Sequence, residues 1–465
     1  MPSPAREAAF DILLRVEQQE AFASELLHSD RVDKLSFQDR ALCTELVMST
    51  LRWRSRLDFG IGAVSSQPLG KLDPEVLTAL RLGAYQIAFL RLPARAAVNE
   101  SVELVKRARR RYSVPFANAV LRKLADKPEL MEPVLSPGPK TVLDISALQA
   151  HPLWLVERWA ERFGIEKTDS ICAFNQQVPV TAVRFTHPHP SPKPGERVGQ
   201  PQEISAEIDK ELRREAIELE PGALLTSARR VVKGDITKTR AFREGRVVIQ
   251  DEASQLVALL VGTGERLLDC CAAPGGKTAI MAERNPEAEI IAADIHPRRA
   301  ALLMERLSGA PNVTVMAADA TELPICGLFD GVLADVPCSG TGTLARNPEI
   351  KWHLALEDLA DLHARQVEIL SAALQHARPG GRVVYSTCSL EAEENAQVVE
   401  EVLQANPEFK VVHCREALEF LKESGELAWK DLDSLMEGRY LRTLPGMQPC
   451  DGFFAAIVAK KLATD

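Results

Sequence analysis

The sequence predicts a chain of three domains that ends in a doubly wound α/β domain. Residues 3–125 show helical periodicity without strand-like alternation, and residues 150–240 mix helix and strand signals. From about residue 245 onward, apolar strands alternate with helices, which is typical of a mainly parallel sheet. The length of 465 residues also suits about three domains. The predicted domains are an all-α domain at 1–135, a small α+β domain at 145–240 and a Rossmann-like α/β domain at 241–465.

Local signals mark the elements of the first two domains. Ser36 stands three residues before Asp39, as in a helix capping box, and Asp73 precedes a proline at a first helical position. The proline-rich stretch MEPVLSPGPK at 131–140 ends the first domain. In the second domain, HPLWLVERWAERFG predicts a helix, VPVTAVRF predicts a strand, and THPHPSPKPGERVGQP predicts a loop.

Five short apolar runs predict the strands of the third domain. In such a sheet, ligands bind in the crevice outside the carboxyl ends of the strands. Residues with chemically useful side chains stand at these ends, so we expect the functional site there. The predicted strands are RLLDCC, EIIAAD, VTVMAAD, FDGVLADV and GRVVYSTC.

Composition narrows the class of protein. The chain is 46% hydrophobic and 26% charged, which is ordinary for a soluble globular protein, and it shows no signal core and no membrane-length apolar run. Nine cysteines without a C-x-x-C pair predict reduced thiols in a cytoplasm and no metal site. The formal charge of −9 excludes a general polycation, so any surface for nucleic acid must be local.

One local basic stretch is present. From residue 91 to residue 123, nine Lys or Arg residues stand against two acidic residues, and the centre of the stretch is KRARRR. Such a run can be a solvated helix face, but in an acidic chain it favours contact with phosphates. The candidate RNA contacts in this run are Lys106, Arg107, Arg109, Arg110 and Arg111.

The stretch DCCAAPGGKTAI at 269–280 predicts a cofactor loop. Its end resembles a phosphate-binding P-loop, but Cys271 occupies the position of the first glycine that this motif requires. Small residues that open a helix allow a ligand carboxylate to approach unpaired N–H groups. An acid 19 residues after Gly275 suits ribose hydroxyls, and a third strand-end acid suits adenine, so the set predicts S-adenosylmethionine rather than NAD. The candidate cofactor residues are Cys271, Ala272, Ala273, Pro274, Gly275, Gly276, Lys277, Asp294, Asp319 and Asp335.

Two cysteines differ from the others because adjacent strand ends would bring both to the same crevice. Cys338 follows Asp335 in DVPCSGTG, and Cys388 ends the fifth strand. A dithiol switch is one interpretation, and nucleophilic catalysis is the better one. The remaining cysteines predict packing or lining of the cofactor loop: Cys43, Cys172, Cys270, Cys271, Cys326, Cys414 and Cys450.

The motifs AAPGGKT, DVPCSG and STCS resemble the signatures of RNA cytosine-C5 methyltransferases of the RsmB (Sun) and NOP type. The first 125 residues are similar to NusB, a helical RNA-binding factor, through LRLGAYQIAFL, AVNESVELVK and FANAVLRKL. FREGRVVIQDEASQLVALL and the terminal DGFFAAIVAK also look like the RsmB group. The resemblance implies a NusB-like domain, an accessory RNA-binding domain and a methyltransferase domain that acts on 16S rRNA as a monomer without metal or membrane.

The resemblance also implies roles for the site residues. Cys388 would add to C6 of a cytosine that leaves its stack, Asp335 would hydrogen-bond or protonate N3, and Cys338 would assist loss of the C5 proton and release of Cys388. Arg346 and Lys351 would contact RNA. A helix in LEAEENAQVV, just after Cys388, would favour its thiolate. Three acids in that stretch would oppose ionisation, and the balance stays open: Glu391, Glu393 and Glu394.

Alternative functions remain open at this point. The same chemistry on tRNA or on another rRNA is the second choice among enzymes. A non-catalytic RNA-binding factor is disfavoured by the intact Asp335, Cys338 and Cys388, and a P-loop ATPase is disfavoured by Cys271.

Overall fold

The computed structural model describes residues 2–90, 92–133, 135, 137–186 and 201–461. The chain divides into two compact units. We name them the helical unit, which comprises 1–179 and 343–354, and the sheet unit, which comprises 180–342 and 355–465. This division differs from the three predicted domains. Helices at 142–175 cluster with the N-terminal helices, and the small sheet clusters with the α/β region.

The helices follow in chain order, apart from short 3₁₀ turns. None of the described helices is long and apolar enough to cross a membrane. They are α1 (Pro4–Gln19), α2 (Ala23–Leu27), α3 (Asp30–Asp33), α4 (Phe37–Arg52), α5 (Arg54–Val64), α6 (Pro74–Phe89), α7 (Ala94–Arg107), α8 (Val114–Asp126), α9 (Val142–Leu148), α10 (Leu153–Phe163), α11 (Ile165–Asn175), α12 (Pro201–Arg214), α13 (Arg240–Arg243), α14 (Glu252–Leu260), α15 (Gly276–Arg284), α16 (Pro297–Arg306), α17 (Ile350–His353), α18 (Asp358–Gln375), α19 (Ala396–Ala405) and α20 (Cys414–Glu423).

The strands all lie in the sheet unit and form two sheets among the described residues. The first sheet has the order β2-β3-β1-β4, and the second has the order β11-β12-β13-β9-β8-β5-β6-β7, with β10 paired to β13. They are β1 (Thr181–Phe185), β2 (Glu218–Pro221), β3 (Ala228–Lys233), β4 (Val247–Ile249), β5 (Arg266–Asp269), β6 (Glu289–Asp294), β7 (Val313–Ala317), β8 (Phe329–Asp335), β9 (Ala377–Thr387), β10 (Phe409–Val412), β11 (Met436–Glu437), β12 (Tyr440–Thr443) and β13 (Phe453–Lys460).

The helical unit confirms the all-α prediction for the N-terminal region. Ser36 accepts a hydrogen bond from the N–H of Asp39 at the start of α4, and α6 begins at Pro74. The apolar stripes of α1, α4, α5, α6, α7 and α8 meet in one core that includes Phe10, Leu46 and Leu80. The packing of these stripes on one another stabilises helices that would be marginal alone.

A second stretch of chain, 343–354, belongs to the helical unit although it follows the DVPCSGTG motif in sequence. Lys351 Nζ donates hydrogen bonds to the carbonyl oxygens of Arg52, at 2.9 Å, and Ala150, at 2.8 Å. Trp352 Nε1 donates to the carbonyl oxygen of Leu51 at 2.6 Å. The last carbonyls of a helix have no partner within it, so these side chains cap the carboxyl end of α4.

The small antiparallel sheet of the sheet unit packs its apolar face on α12 and α13, around Val183, Phe185 and Leu212. The predicted strand VPVTAVRF forms β1. The stretch HPLWLVERWAERFG, predicted as a helix, forms α10 in the helical unit. The proline-rich loop predicted at 186–201 lies mostly outside the described residues.

The larger sheet confirms the doubly wound prediction. Strands β7, β6, β5, β8 and β9 run parallel in that spatial order, and β13 joins β9 antiparallel. Nearly every residue of β8 is buried because helices cover both faces of a parallel sheet. From β5 the chain winds outward through β6 and β7 on one side, whereas β8 and β9 lie on the other. The crevice at this reversal of strand order lies between the carboxyl ends of β5 and β8.

Candidate active site

The predicted cofactor loop connects β5 to α15 at the crevice. Gly275 stands just before α15 with φ of 103°, a left-handed conformation that favours glycine. At Gly276, a Cβ atom would lie 3.1 Å from the Gln250 side chain, so the backbone there has close neighbours. Thr278 Oγ1 donates to Asp269 Oδ2 at 2.7 Å and holds the first turn of the helix to the end of β5. The first N–H groups of α15 have no acceptor within the helix, which fits a ligand carboxylate.

Two predicted cofactor acids lie at the ends of the next strands. Asp294 is the last residue of β6 and is 7% exposed, and its Oδ1 accepts a hydrogen bond from the N–H of His296 at 2.9 Å. Asp319 follows β7, is exposed, and accepts hydrogen bonds from the N–H and hydroxyl of Thr321. These bonds lower the pKa of Asp319. Both carboxylates therefore stand along the same edge of the sheet as the cofactor loop.

Asp335, the last residue of β8, forms an ion pair with Lys277. Lys277 Nζ lies 2.6 Å from its Oδ2, and the Ser386 hydroxyl donates to its Oδ1 at 2.7 Å. Ser386 is the direct partner of Asp335 in the register of β8 and β9. Burial opposes the charge of Lys277, but the neighbouring Asp335 outweighs it and raises the pKa of Lys277. Lys277, predicted as a cofactor residue, thus connects the cofactor loop to the predicted catalytic acid.

The structure brings the two selected cysteines together. Cys338 Sγ lies 3.3 Å from Cys388 Sγ and 3.3 Å from the N–H of Cys388. The hydrogen bond to Cys388, burial and the negative charge of Glu394 raise the pKa of Cys338 well above its usual value. Cys338 is therefore a thiol in this arrangement. Both cysteines are partly exposed, so the pair is accessible at the surface of the crevice.

The loops around the cysteines pack backbone against backbone. The N–H of Gly342 donates to the carbonyl oxygen of Cys388, and the N–H of Gly452 donates to that of Gly342, each at 2.8 Å. A Cβ atom on Gly342 would meet backbone atoms of both neighbours, so glycine permits this close approach. The C-terminal DGFF motif also places Phe453 under the ammonium of Lys277, 5.2 Å from the ring centroid.

Two site residues were not found by sequence reasoning. Asp269, the last residue of β5, is buried beneath the cofactor loop, and burial raises its pKa to about 7. Glu394 is fully buried beside both cysteine loops. The position of Asp269 at a strand end was a usable signal. For Glu394, no local sequence pattern separates it from the nearby acids Glu391 and Glu393.

Comparison with known proteins identifies the family. The model of the 16S rRNA methyltransferase RsmB/F family matches residues 256–459, and the NusB family model matches residues 3–126. A Bacillus subtilis protein named probable ribosomal RNA small subunit methyltransferase B is 33% identical over 98% of both chains. A Vibrio cholerae ribosomal RNA small subunit methyltransferase B is 31% identical over 91% of this chain and 90% of its own. The chain belongs to the RsmB/F family.

A solved structure supports the fold of this RsmB/F member. The crystal structure of PH0851 has a TM-score of 0.75 to this chain at 24% identity, and the match covers 99% of each. The helical N-terminal region is a NusB domain and the sheet unit carries the methyltransferase domain. Family membership implies a methyl donor of the S-adenosylmethionine type, which fits the small-residue loop and the helix start described above.

The predicted RNA contacts of the NusB domain separate into two groups. Several of the basic side chains already pair with acids: Lys106 with Glu103, Arg107 with Asp11, and Arg110 with Glu75. Arg109 and Arg111 are exposed, and no carboxylate among the described residues pairs with them. KRARRR is not one helix face, because α7 ends at Arg107 and a turn follows.

The predicted RNA contact of Lys351 is not compatible with its position. Its side chain is buried, and Nζ is engaged by two carbonyl oxygens in the cap of α4. Burial lowers its pKa well below the usual value. Arg346 of the same segment is only partly buried. The sequence pattern did not show that this segment packs in the helical unit.

Two smaller expectations also need correction. The predicted helix just after Cys388 begins at Ala396, because residues 389–395 form a loop fixed by Asn395, whose Nδ2 donates to the carbonyl oxygens of Ser389 and Glu391. A helix N-terminus therefore does not adjoin Cys388. Cys326 is exposed rather than packed.

Proposed function

We propose that this protein methylates C5 of a cytosine in 16S rRNA through a covalent bond between Cys388 and the base. The observation that carries the proposal is the 3.3 Å separation of the Cys338 and Cys388 sulfur atoms beside Asp335 at the sheet crevice. The names of the relatives, which refer to the small ribosomal subunit, support 16S rRNA as the substrate.

The first step activates the base. C5 of cytosine is a weak nucleophile, and addition of a thiolate at C6 makes C5 electron-rich. The Cys388 sulfur forms the bond to C6, its thiol proton is lost, and N3 gains a proton. Asp335 accepts the hydrogen bond from protonated N3, while Lys277 and Ser386 hold its carboxylate in place. S-adenosylmethionine supplies the methyl group as an electrophile.

The second step releases the product. C5 now carries both a methyl group and a proton, and Cys338 removes this proton. The hydrogen bond to Cys388 is the first of the causes that raise the pKa of Cys338, and this contribution ends when the Cys388 sulfur is bonded to carbon. The pKa of Cys338 then falls, which favours its role as a base. As the C5 proton leaves, the C6–S bond breaks, N3 loses its proton, and Cys388 departs as a thiolate.

Several residues would hold the cofactor. The first turn of α15 would bind its carboxylate, Asp294 would bind the ribose hydroxyls, and Asp319 would face the adenine. The exposed Arg109 and Arg111 in the NusB domain would contact RNA phosphates.

Separate variants of the two cysteines test the chemistry. Cys388→Ala should abolish methylation and give no covalent complex, because no sulfur can reach C6. Cys338→Ala should still permit attack, so the enzyme should stay bonded to its RNA. A denaturing gel with radiolabelled 16S rRNA should therefore show a slow protein–RNA band for Cys338→Ala alone. The reverse pattern would exchange the roles, and two active variants would exclude thiol catalysis.

The substrate is tested separately from the mechanism. Bisulfite sequencing of total RNA from a deletion strain should show the loss of 5-methylcytosine at a position in 16S rRNA. Loss in tRNA or in 23S rRNA instead would keep the chemistry and replace the substrate.

A further inference from the structure

Glu394 is a buried carboxylate for which the proposed chemistry has no use. It lies six residues after Cys388, between β9 and α19, and its side chain is fully buried. A buried carboxylate is costly unless it is fully hydrogen-bonded, so its partners indicate why it is there.

The two oxygens of Glu394 accept four hydrogen bonds. Oε1 accepts from the N–H of Ser339 at 2.7 Å and from Gln366 Nε2 at 2.9 Å. Oε2 accepts from the hydroxyls of Ser339 and Ser389. Two of these partners are N–H groups and two are hydroxyls, so every partner in this set can donate to the side chain.

These partners come from both loops that carry the cysteines. Ser339 directly follows Cys338, and Ser389 directly follows Cys388, so one side chain connects the residues next to both thiols. The two hydroxyls also lie 3.0 Å from each other.

We call Glu394 and its bonds to Ser339 and Ser389 the clamp. Side chains from α18 and β9 hold the clamp in place. Gln366 on α18 donates from Nε2 to the carbonyl oxygen of Pro337 at 2.9 Å as well as to Glu394. The Tyr385 hydroxyl on β9 donates to the backbone carbonyl oxygen of Glu394 at 2.6 Å. Neither loop can therefore move without breaking bonds to a rigid element.

We propose that Glu394 is a positioning residue that holds the Cys338 loop and the Cys388 loop together and so sets the distance between their two sulfur atoms. The step that it serves, proton removal by Cys338 beside bonded Cys388, rests on the proposed function. The clamp concerns only the positions of the two loops, so it can be tested without measuring methyl transfer.

Kinetics of three Glu394 variants test the proposal. Glu394→Ala and the shorter Glu394→Asp should lower kcat about 100-fold, as expected for misplacement of about 1 Å, with KM for RNA and S-adenosylmethionine within about twofold. Glu394→Gln has the same length and retains an acceptor for Ser339 N–H and Gln366, so it should keep kcat within about tenfold of wild type. Exposed Glu401, which pairs with His363, gives the matched control Glu401→Gln, with kcat unchanged.

These variants distinguish the effect of side-chain length at Glu394 from the effect of its charge and from misfolding. S-adenosylmethionine affinity measured by calorimetry reports whether each variant is folded. Retention of activity by Glu394→Asp with loss by Glu394→Gln would overturn the positioning role, because charge rather than reach would then matter. Wild-type kcat in Glu394→Ala would overturn it as well.

A thiol probe tests the clamp independently of activity. Phenylarsine oxide releases water when it bonds two neighbouring thiols, so wild-type protein should bind it through Cys338 and Cys388, and Cys388→Ala should not. Glu394→Ala should weaken this binding at least about tenfold, which corresponds to about 1.4 kcal/mol. Glu401→Gln should bind as wild type does.

The two readouts distinguish the clamp from the proposed function. If arsenical binding depends on Glu394 but wild-type enzyme forms no 5-methylcytosine, the clamp stands and the proposed function fails. If wild-type enzyme methylates RNA and Glu394→Ala binds the arsenical with unchanged affinity, the clamp is overturned and the proposed function stands.

Discussion

Asp335 shows how one side chain can serve both sides of the crevice. It stands at the end of β8. One of its oxygens accepts a hydrogen bond from Lys277 of the cofactor loop, and the other accepts one from Ser386 of β9. The lysine is fixed in turn above the Phe453 ring. Because these partners leave the carboxylate little freedom, substitution of any of them would displace the acid as well as remove its own contact.

The ribose contact proposed for Asp294 predicts a defined loss of cofactor affinity. Asp294→Ala should weaken S-adenosylmethionine binding by about 1.5–3 kcal/mol, because the ribose hydroxyls would lose bonds to a charged acceptor. Isothermal titration calorimetry measures the change. The matched control is Glu287→Ala, an exposed acid that precedes β6 and lies away from the carboxyl ends of the strands. Wild-type affinity in Asp294→Ala would remove the ribose assignment.

The raised pKa of Asp269 predicts a pH-dependent stability. Burial raises its pKa to about 7 from 3.8, so between these values the unfolded carboxyl ionises and the folded one stays protonated. Stability from this group is therefore full below about pH 4 and is lost as the pH rises to about 7. Asp269→Asn removes this loss while retaining an acceptor for Thr278. Its free energy of unfolding, relative to wild type, should rise from pH 4 to pH 7 and then level off.

Urea unfolding of both proteins across this pH range provides the measurement. Glu287→Gln serves as the control, because an exposed acid should show a constant difference from wild type. A constant difference for Asp269→Asn would show that the buried carboxyl titrates as it does in the unfolded chain.

The sequence predicted the parallel strands of the larger sheet well. Strands β6 and β8 are buried at nearly every residue because both faces of the sheet are covered, and their apolar runs are readable without contacts. The strand-end rule then located Asp335, Cys338 and Cys388 together, and the structure places the two sulfur atoms in contact.

Other elements depend on contacts that local sequence does not show. LEAEENAQVV has a helical composition, but buried bonds from Asn395 and Glu394 hold its first half in a loop. The local sequence around Lys351 predicts an exposed cation. In the structure its ammonium donates to a carbonyl oxygen at the end of α4, some 300 residues earlier in the chain. Contacts between residues distant in sequence therefore determine these two conformations, and local helix propensity and polarity do not predict them.

The basic turn after α7 predicts which cations matter for RNA. Replacement of Arg109 and Arg111 by Ala should weaken RNA binding, because these exposed side chains have no carboxylate partner in the described part of the chain. The plot of log affinity against log salt should lose somewhat under about one unit of slope for each contact removed. Filter binding at several salt concentrations measures this slope.

Arg107→Ala, at the last residue of α7, provides the comparison. Its guanidinium is held by both oxygens of Asp11, so it should affect the slope less than either exposed arginine. An unchanged slope in the double variant would leave the turn as an ordinary solvated surface.

The division into two units does not follow the linear order of the chain. Residues 343–354 leave the sheet unit directly after the cysteine loop, join the helical unit, and the chain then returns at residue 355. The loop that carries Cys338 is thus tied covalently to a segment that is anchored on α4 by Lys351 and Trp352.

A conservative change in this segment should be felt in α4. Trp352→Phe keeps an aromatic ring but removes the N–H donated to Leu51, so it should cost about 1 kcal/mol and speed hydrogen exchange in the last turn of α4. Mass-spectrometric hydrogen exchange resolves this helix. Trp429→Phe loses an exposed bond to Ser434 in the sheet unit and should leave exchange in α4 unchanged. Equal exchange in both variants would contradict the cap.

The anchored segment also bears on the order of events during synthesis. Residue 354 emerges from the ribosome some 175 residues after residue 179, which is about 9–35 s at translation rates of 5–20 residues per second. Throughout that interval the last carbonyls of α4 lack Lys351 and Trp352. The N-terminal unit therefore reaches its final fold only after β5 to β8 have been made, and a nascent chain stalled before residue 343 would carry an incompletely capped helix.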